Sequence, residues 1–372
     1  MRDGNTFLDG LRDGREVWFD DERIHDLTTH PKTRKLATTL AAWYDLPSSD
    51  RALSYAIPHT VEDLQRRAAA AERAARRHRG MVDRTPDYSA ILVAAMRQAA
   101  AVYGQRDQRL ADNIVRFHQR IDAEGVCVTH AFADRHVESA LRVIRDDDRG
   151  MVVSGGRSMA TLAPFADEIL SLTLPMQELK AGQETLCVGF SVPVATAGVR
   201  LQCNRFDEPE AHAIFDEVHI PWEQVFEYAD LELHNDTAMT APLWRPLMHQ
   251  AAVVNTVKLD FTLGVAHRMA LETGADRYPH IEDEISAIID LIETLRAYRR
   301  ASEDDAGPIV GTVGIWPAAG PLAAMRDTFP RAFARIRLIL EQVGASRLLG
   351  SEPLFRMAWD LVGSEFSSHH DL

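Results

Sequence analysis

Apolar and polar positions change period twice along this chain. Up to about residue 140 apolar residues recur three and four apart, the spacing of one helix face. The pattern predicts an amphipathic helix over 34–44. A second is predicted over 61–79, rich in the strong helix formers Ala, Arg and Glu. Thr60 is a suitable N-cap for it and Gly80 a suitable stop. Its arginines read as a solvated face. A third spans 88–102, with Ile91, Ala94, Ala95 and Gln98 at helical spacing. Pro86 fixes φ near its entrance, which puts Arg84 at a turn and Tyr88 in the first turn.

Between about 141 and 232 the period falls to two. Leu186, Val188, Phe190, Val192 and Val194 alternate with small or polar residues, as do Val199, Leu201 and Cys203. A further run covers 213–220 and is closed by Pro221. Gly155-Gly156 and Thr196-Ala197-Gly198 read as turns between runs. The expectation is a small β domain, a barrel or sandwich. From about 240 the helical period returns. A long helix over 249–273 ends at Gly274, and Ile285, Ile288, Ile289, Ile292, Leu295 and Tyr298 form a stripe. A loop is expected over 302–321, then helices over 322–342 and 353–361. The fold class is α+β, mostly α, in three parts: an N-terminal helical domain over 1–140, a β domain over 141–232 and a C-terminal helical bundle over 233–372. There is no internal repeat.

Composition narrows the function more than the fold. A chain of 372 residues can bury a sizeable core. The formal charge of −14 argues against nucleic acid and anionic membrane, which call for basic surfaces. Cys127, Cys187 and Cys203 lie far apart, make no CxxC pair, and read as buried small apolar residues. No apolar signal segment follows Met1, and no run is long enough to span a bilayer. A cytoplasmic protein is expected. His25 and His30 lack the i, i+4 spacing of a helical ligand pair, and no metal site is expected. Phosphate-loop, zinc and nucleophile-elbow signatures are absent. Asp167 and Glu168 read as a cap or surface pair, and Trp222 as a core anchor.

The candidate chemistry lies in two short segments, Asp83-Arg84-Thr85-Pro86-Asp87-Tyr88 and Cys127-Val128-Thr129-His130-Ala131. Arg84 offers a permanent forked donor, Tyr88 a phenol and His130 a group that moves a proton near neutral pH. Taken by themselves they are an Arg on a turn, a Tyr packing a helix and a His in a loop. The order of motifs along the chain joins them. These are Gly10-Leu11-Arg12-Asp13-Gly14-Arg15, the two segments above, Ala111-Asp112-Asn113 and the run from Val152 to Thr161. Phe165-Ala166-Asp167-Glu168, Arg205-Phe206-Asp207-Glu208, the run from Phe215 to Trp222, and Trp359-Asp360-Leu361-Val362-Gly363-Ser364-Glu365-Phe366 complete the series. In that order the chain resembles the 4-hydroxyphenylacetate 3-monooxygenase family, the large oxygenase component of two-component flavin hydroxylases.

The resemblance implies an acyl-CoA dehydrogenase-like architecture and a homo-oligomer, dimer or tetramer. It also implies a monooxygenase that takes reduced FAD from a separate flavin reductase and hydroxylates a phenol-like aromatic through a flavin hydroperoxide. By the same resemblance Arg84 and Tyr88 engage the substrate hydroxyl or the hydroperoxide, and His130 does likewise and assists proton movement. Ser154, Ser158 and Thr161 lie along the flavin, where Gly155-Gly156 permits close approach. Departures are visible. Phe132-Ala133-Asp134-Arg135 replaces the family's Asn-Pro-Gln, the stretch between Gly344-Ala345-Ser346 and Trp359 is short, and the chain ends at Leu372 in a shortened C-terminal part. Two other readings stay open: a flavin-independent cyclase, isomerase or lyase of secondary metabolism using the same cavity, and a non-catalytic partner subunit. Absence of clustered cysteines disfavours an iron–sulfur dehydratase of this fold. The lack of an NAD(P)H fingerprint agrees with an external reductase.

Overall fold

The computed structural model describes residues 2–82, 84–132, 139–174, 177–203, 210–344, 353–354 and 356–358. Asp83, 133–135, the Arg205-Phe206-Asp207-Glu208 motif, 345–346 and the Trp359 segment lie outside the described residues. The chain divides into two compact units. The first is Met1–His59, Arg84–Trp244 and Pro308–Ile315; the second is Thr60–Asp83, Arg245–Gly307 and Trp316–Leu372.

In the first unit α1 (Gly4–Gly10), β1 (Glu16–Phe19), β2 (Glu22–Ile24), α2 (Arg34–Tyr44) and α3 (Ser48–Tyr55) come first. After α4 (Val61–Arg77), which belongs to the second unit, follow α5 (Pro86–Gln98), α6 (Ala100–Tyr103) and α7 (Gln108–Glu124). Next are β3 (Val128–Ala131), β4 (Arg142–Asp146), β5 (Gly150–Thr161) and β6 (Glu168–Ser171). The series closes with β7 (Val188–Pro193), β8 (Val199–Cys203), β9 (Glu210–Pro221), β10 (Val225–Tyr228) and α8 (Leu231–Thr240). The strands form a six-stranded sheet, β2-β1-β8-β9-β5-β4, and a four-stranded sheet, β10-β7-β6-β3. β1 runs parallel to β8, and β3 parallel to β6.

Three strands therefore arise in the stretch expected to be helical. β1, β2 and β3 are three or four residues long, too short for a period-two signal to stand out among helices. β1 finds its partner β8 about 180 residues away, through pairing no local pattern reveals. The helix expected over 88–102 is broken at Ala99 into α5 and α6. The Gly155-Gly156 pair is not a turn but lies inside β5. Gly155 has φ +117, and a Cβ there would meet the Ala140 carbonyl at 2.5 Å, so glycine serves a close backbone approach within the strand.

The second unit holds α4, α9 (Trp244–Thr273), α10 (Pro279–Asp304) and α11 (Ala319–Gly344). Thr60 and Asp63 cap α4 reciprocally, as the sequence suggests. Arg67 departs from the solvated face: it is buried, which pushes its pKa down to about 10. Ile288, Ile292 and Leu295 of α10 pack with Met269 of α9 and Phe333 and Ile336 of α11. Ile289 leaves the expected stripe and is exposed, because its position turns about 100° away from Ile288. The connection between α10 and α11 is shorter than the 302–321 expected.

Asn113 fastens α7 to the strand that ends the β region. Its buried amide donates to the Trp222 and Val225 carbonyls, both at 2.7 Å. Asn113→Ala strands two carbonyl acceptors, and about 2 kcal/mol of lost stability is expected. Urea unfolding checks this; an unchanged midpoint contradicts the assigned role.

Candidate active site

Arg84, Tyr88 and His130 meet in the first unit. Pro86 takes the first position of α5, where its missing N–H is no loss. The Tyr88 N–H donates back to the Thr85 carbonyl at 2.9 Å, closing the first turn. α5 is buried on nearly every side, so Tyr88 cannot swing outward, and it is 4% exposed. The Arg84 guanidinium carbon sits 4.4 Å from the Tyr88 ring centroid, a cation–π contact.

His130 comes from β3, a strand buried at all four positions and paired to β6 in the register His130 with Leu170. Burial on both faces is the habit of parallel strands. Thr129 points the opposite way and donates to the Thr161 carbonyl at 2.6 Å, which locks β3 to β5. The strand entrance is clamped as well. The Cys127 N–H donates to Asp167 at 2.7 Å, and Asp167 also pairs with Arg2. Glu168 accepts a two-pronged bond from Arg120 at 2.7 and 2.9 Å. The acidic pair is thus a brace for β3 and β6.

The His130 ring lies 5.5 Å from Tyr88 and 4.6 Å from Phe132, centroid to centroid. Its Nδ1 is buried and has no hydrogen-bond partner among the described residues. Burial first, and the Arg84 charge second, push the imidazole pKa down to about 3. The result is a neutral ring with one polar atom unsatisfied among the described residues.

β5 carries the remaining candidates. Its register with β9 shifts between Val153 and Gly155, and again between Arg157 and Ala160. Ser154 sits in the first irregularity and Ser158 in the second, beside Met159 at φ 59. Bulges of this kind re-aim side chains out of the ladder. Ser158 Oγ lies 3.0 Å from His212 Nδ1, and the Ser158 carbonyl accepts from the Phe132 N–H at 3.3 Å. Thr161 donates to Glu210 at 2.5 Å. Arg84, Tyr88, His130, Ser158 and Thr161 therefore lie in one linked neighbourhood. Ser154 stands apart, four residues or roughly 13 Å along the strand from Ser158.

Two further residues lie against this set: Phe132, noted in the sequence only as a departure from the family, and His212, not singled out there. Phe132 sits two positions after His130, on the same face of an extended segment, and that spacing was a readable signal. His212 is brought in by the β5–β9 pairing and has no local signal. A cleft of about 10 Å³ lies among Leu40, Arg84, Pro86, Thr129, Thr161 and Leu162, room for about one water. A larger cavity of about 450 Å³ in the same unit involves none of the six candidates. Trp222 borders that cavity rather than the core: it is half-exposed, with its indole N–H donating to the Asp147 carbonyl at 2.8 Å.

The 4-hydroxyphenylacetate 3-hydroxylase family matches in two parts, its N-terminal model over residues 3–227 and its C-terminal model over 235–351. The oxygenase component of 4-hydroxyphenylacetate 3-monooxygenase from Thermus thermophilus is 30% identical, over 100% of this chain and 90% of that protein. A crystal structure of such an oxygenase component, complexed with FAD and 4-hydroxyphenylacetate, superposes with a TM-score of 0.90 at 30% identity, over 98% of this chain and 90% of that one. A glutaryl-coenzyme A dehydrogenase complex shares the fold alone, with a TM-score of 0.55 at 12% identity, over 82% of this chain and 76% of that one.

The lowered pKa of His130 has a defined consequence. Its folded value, about 3, lies below the unfolded value of about 6.5, so the unfolded chain binds a proton there that the native state refuses. This residue's contribution to stability falls as pH drops from about 6.5 towards 3. In ¹⁵N NMR the His130 ring is expected to stay neutral from pH 8 to pH 5; a protonated ring at pH 6 contradicts the assignment.

Proposed function

Because this chain belongs to the 4-hydroxyphenylacetate 3-hydroxylase family, we propose that it is the oxygenase of a two-component system. It takes FADH2 from a separate flavin reductase and uses O2 to hydroxylate a phenol-like aromatic substrate. The observation that carries this reading is the buried Arg84–Tyr88–His130 cluster with the open hydrogen-bonding position at His130 Nδ1.

The donor set suits the cofactor. The bulged stretch of β5 presents small neutral hydroxyls, Ser154 and Ser158, each partly exposed. Neutral donors and acceptors of this kind match the carbonyls and ring nitrogens of an isoalloxazine. Ser154, Ser158 and Thr161 are the residues that would hold it. Thr161 keeps an acceptor lone pair after donating to Glu210. Bound reduced FAD supplies two electrons and activates O2, the chemistry side chains cannot perform.

The protein's own contribution is position and charge. Arg84 places a fixed cation where a phenol oxygen is to be held, and favours the phenolate. A phenolate pushes electron density onto its ortho carbon, the atom to be oxygenated. His130 Nδ1 accepts the phenol proton. Burial, and secondarily the Arg84 charge, keeps His130 unprotonated until substrate arrives. Tyr88 holds the guanidinium against its ring and the imidazole beside it, and Phe132 also packs against the imidazole. Thr129, Leu162 and Phe165 are all buried, which keeps the surroundings dry.

The division into 1–140, 141–232 and 233–372 is part of the proposal, supported by the change of apolar period along the chain. No helix among the described residues is long and apolar enough to cross a membrane. A cytoplasmic location completes the proposal, since reduced nicotinamide and flavin reductases reside there. A homo-oligomer is part of it too, supported by Ile289 on α10 and Leu338 on α11, which are large, aliphatic and exposed.

The test supplies the protein with a flavin reductase, NADH, FAD and 4-hydroxyphenylacetate, and analyses products by mass. Addition of one oxygen atom to the ring is expected. Arg84→Ala and His130→Ala should each lower kcat/KM by about 10²-fold or more while the circular dichroism stays unchanged. Phenol binding with no oxygenated product from any phenol tested overturns the oxygenase reading; full activity in either variant overturns that residue's role.

A further inference from the structure

Behind the β10 edge of the first unit, three metal-ligating side chains converge from three elements. Cys187 precedes β7, Glu227 lies on β10 and His234 on α8. All three are buried, and their candidate ligand atoms lie within 4.8 Å of one another. Among the described residues this is the one such group. It involves none of the six residues assigned to the hydroxylation site.

The spacing is that of a coordination polyhedron. His234 Nδ1 lies 3.0 Å from Glu227 Oε1, and Cys187 Sγ lies 3.7 Å from the same oxygen. Neighbouring ligands on a tetrahedral zinc, with bonds of about 2.0–2.3 Å, stand roughly 3.3–3.6 Å apart. Small side-chain adjustments convert one set of distances into the other. The Asp230 main-chain carbonyl lies 3.4 Å from the thiol and offers a further oxygen.

The surroundings also suit a metal. His234 Nε2 lies 2.9 Å from the Gln177 carbonyl, which fixes the proton on Nε2 and turns Nδ1 towards Glu227 and Cys187. A histidine ligand held this way by a carbonyl is the usual outer-shell arrangement. The cavity of about 450 Å³ is lined by Tyr228, Asp230 and Leu233, neighbours in sequence of Glu227 and His234. Arg157 lies near enough to act on His234 electrostatically. Its positive charge opposes a cation, and the two anionic ligands, thiolate and carboxylate, offset it.

The geometry points to a binding site for one borderline divalent cation, Zn²⁺ in preference to Mg²⁺ or Ca²⁺, held by Cys187, Glu227 and His234. Thiolate and imidazole select for such metals and against hard ones. The ion ties the start of β7 and the β10 strand to α8, and its role is structural and separate from hydroxylation.

The test uses the full chain, stripped with a chelator and titrated with Co²⁺. One equivalent is expected to saturate a visible tetrahedral spectrum with a near-ultraviolet thiolate-to-cobalt charge-transfer band, and Zn²⁺ should bleach it. The Cys127→Ser/Cys203→Ser double variant leaves Cys187 as the single thiol of the three and should keep the band. Cys187→Ser should lose it, and Glu227→Gln should bind roughly tenfold or more weakly. Should Cys187→Ser fail to fold, the double variant decides alone. Absence of a saturable charge-transfer band in wild type or in the double variant overturns the site, as does a band that persists in Cys187→Ser. In those cases the trio is a metal-free hydrogen-bonded cluster.

Discussion

Burial of the His130 imidazole against Tyr88 and Phe132 is the constraint on which the account of the site rests. The ring is out of water, next to a guanidinium, and its Nδ1 has no hydrogen-bond partner among the described residues. Such an atom in a dry interior is destabilising by about 1–3 kcal/mol unless something supplies its partner. The fold maintains it because the neighbouring positions are over-determined. β3 is tied to β6 by its ladder, to β5 by the Thr129 hydroxyl and to the 167–168 segment by paired acids. α5 holds Tyr88 from the other side. A buried polar atom without a partner among the described residues is a natural contact for a polar ligand.

The helices were legible where their signals were local. α2 ends at the residues expected, and α4 begins at the Thr60 cap with a reciprocal Asp63 bond. α10 follows its isoleucine stripe save for Ile289. The strands were legible where they alternate, as in β7 and β8. β1 and β3 were not, because each is four residues long and defined by a distant parallel partner. β5 misled in another way. Two glycines inside it look like a turn in sequence, and only the crowding against the Ala140 carbonyl shows why a strand needs one there.

The site was legible in part. The Arg84-to-Tyr88 spacing around Pro86 predicts that both side chains share one end of a helix, and they do. Nothing local joins them to His130, forty-two residues further on by sequence number; the family resemblance made that link. The electrostatic state of His130 could not be read at all. A free histidine titrates near neutrality, whereas this one is neutral well below it for reasons of burial. Trp222 was misplaced because a Pro-Trp pair after a strand reads as a core anchor, while its ring in fact borders a cavity. Cys187 shows the same limit: it is a buried small residue, as expected, yet its neighbours Glu227 and His234 are visible only in three dimensions.

The central claim is that Arg84 favours the phenolate of a bound phenol while His130, neutral until then, takes its proton. The most direct measurement uses 4-nitrophenol, whose ionised form is yellow, mixed with the protein at a pH below its solution pKa. The account predicts growth of the phenolate band on binding, and its loss in Arg84→Met. Binding that leaves the probe colourless, or a band unchanged by removal of the guanidinium, would contradict it.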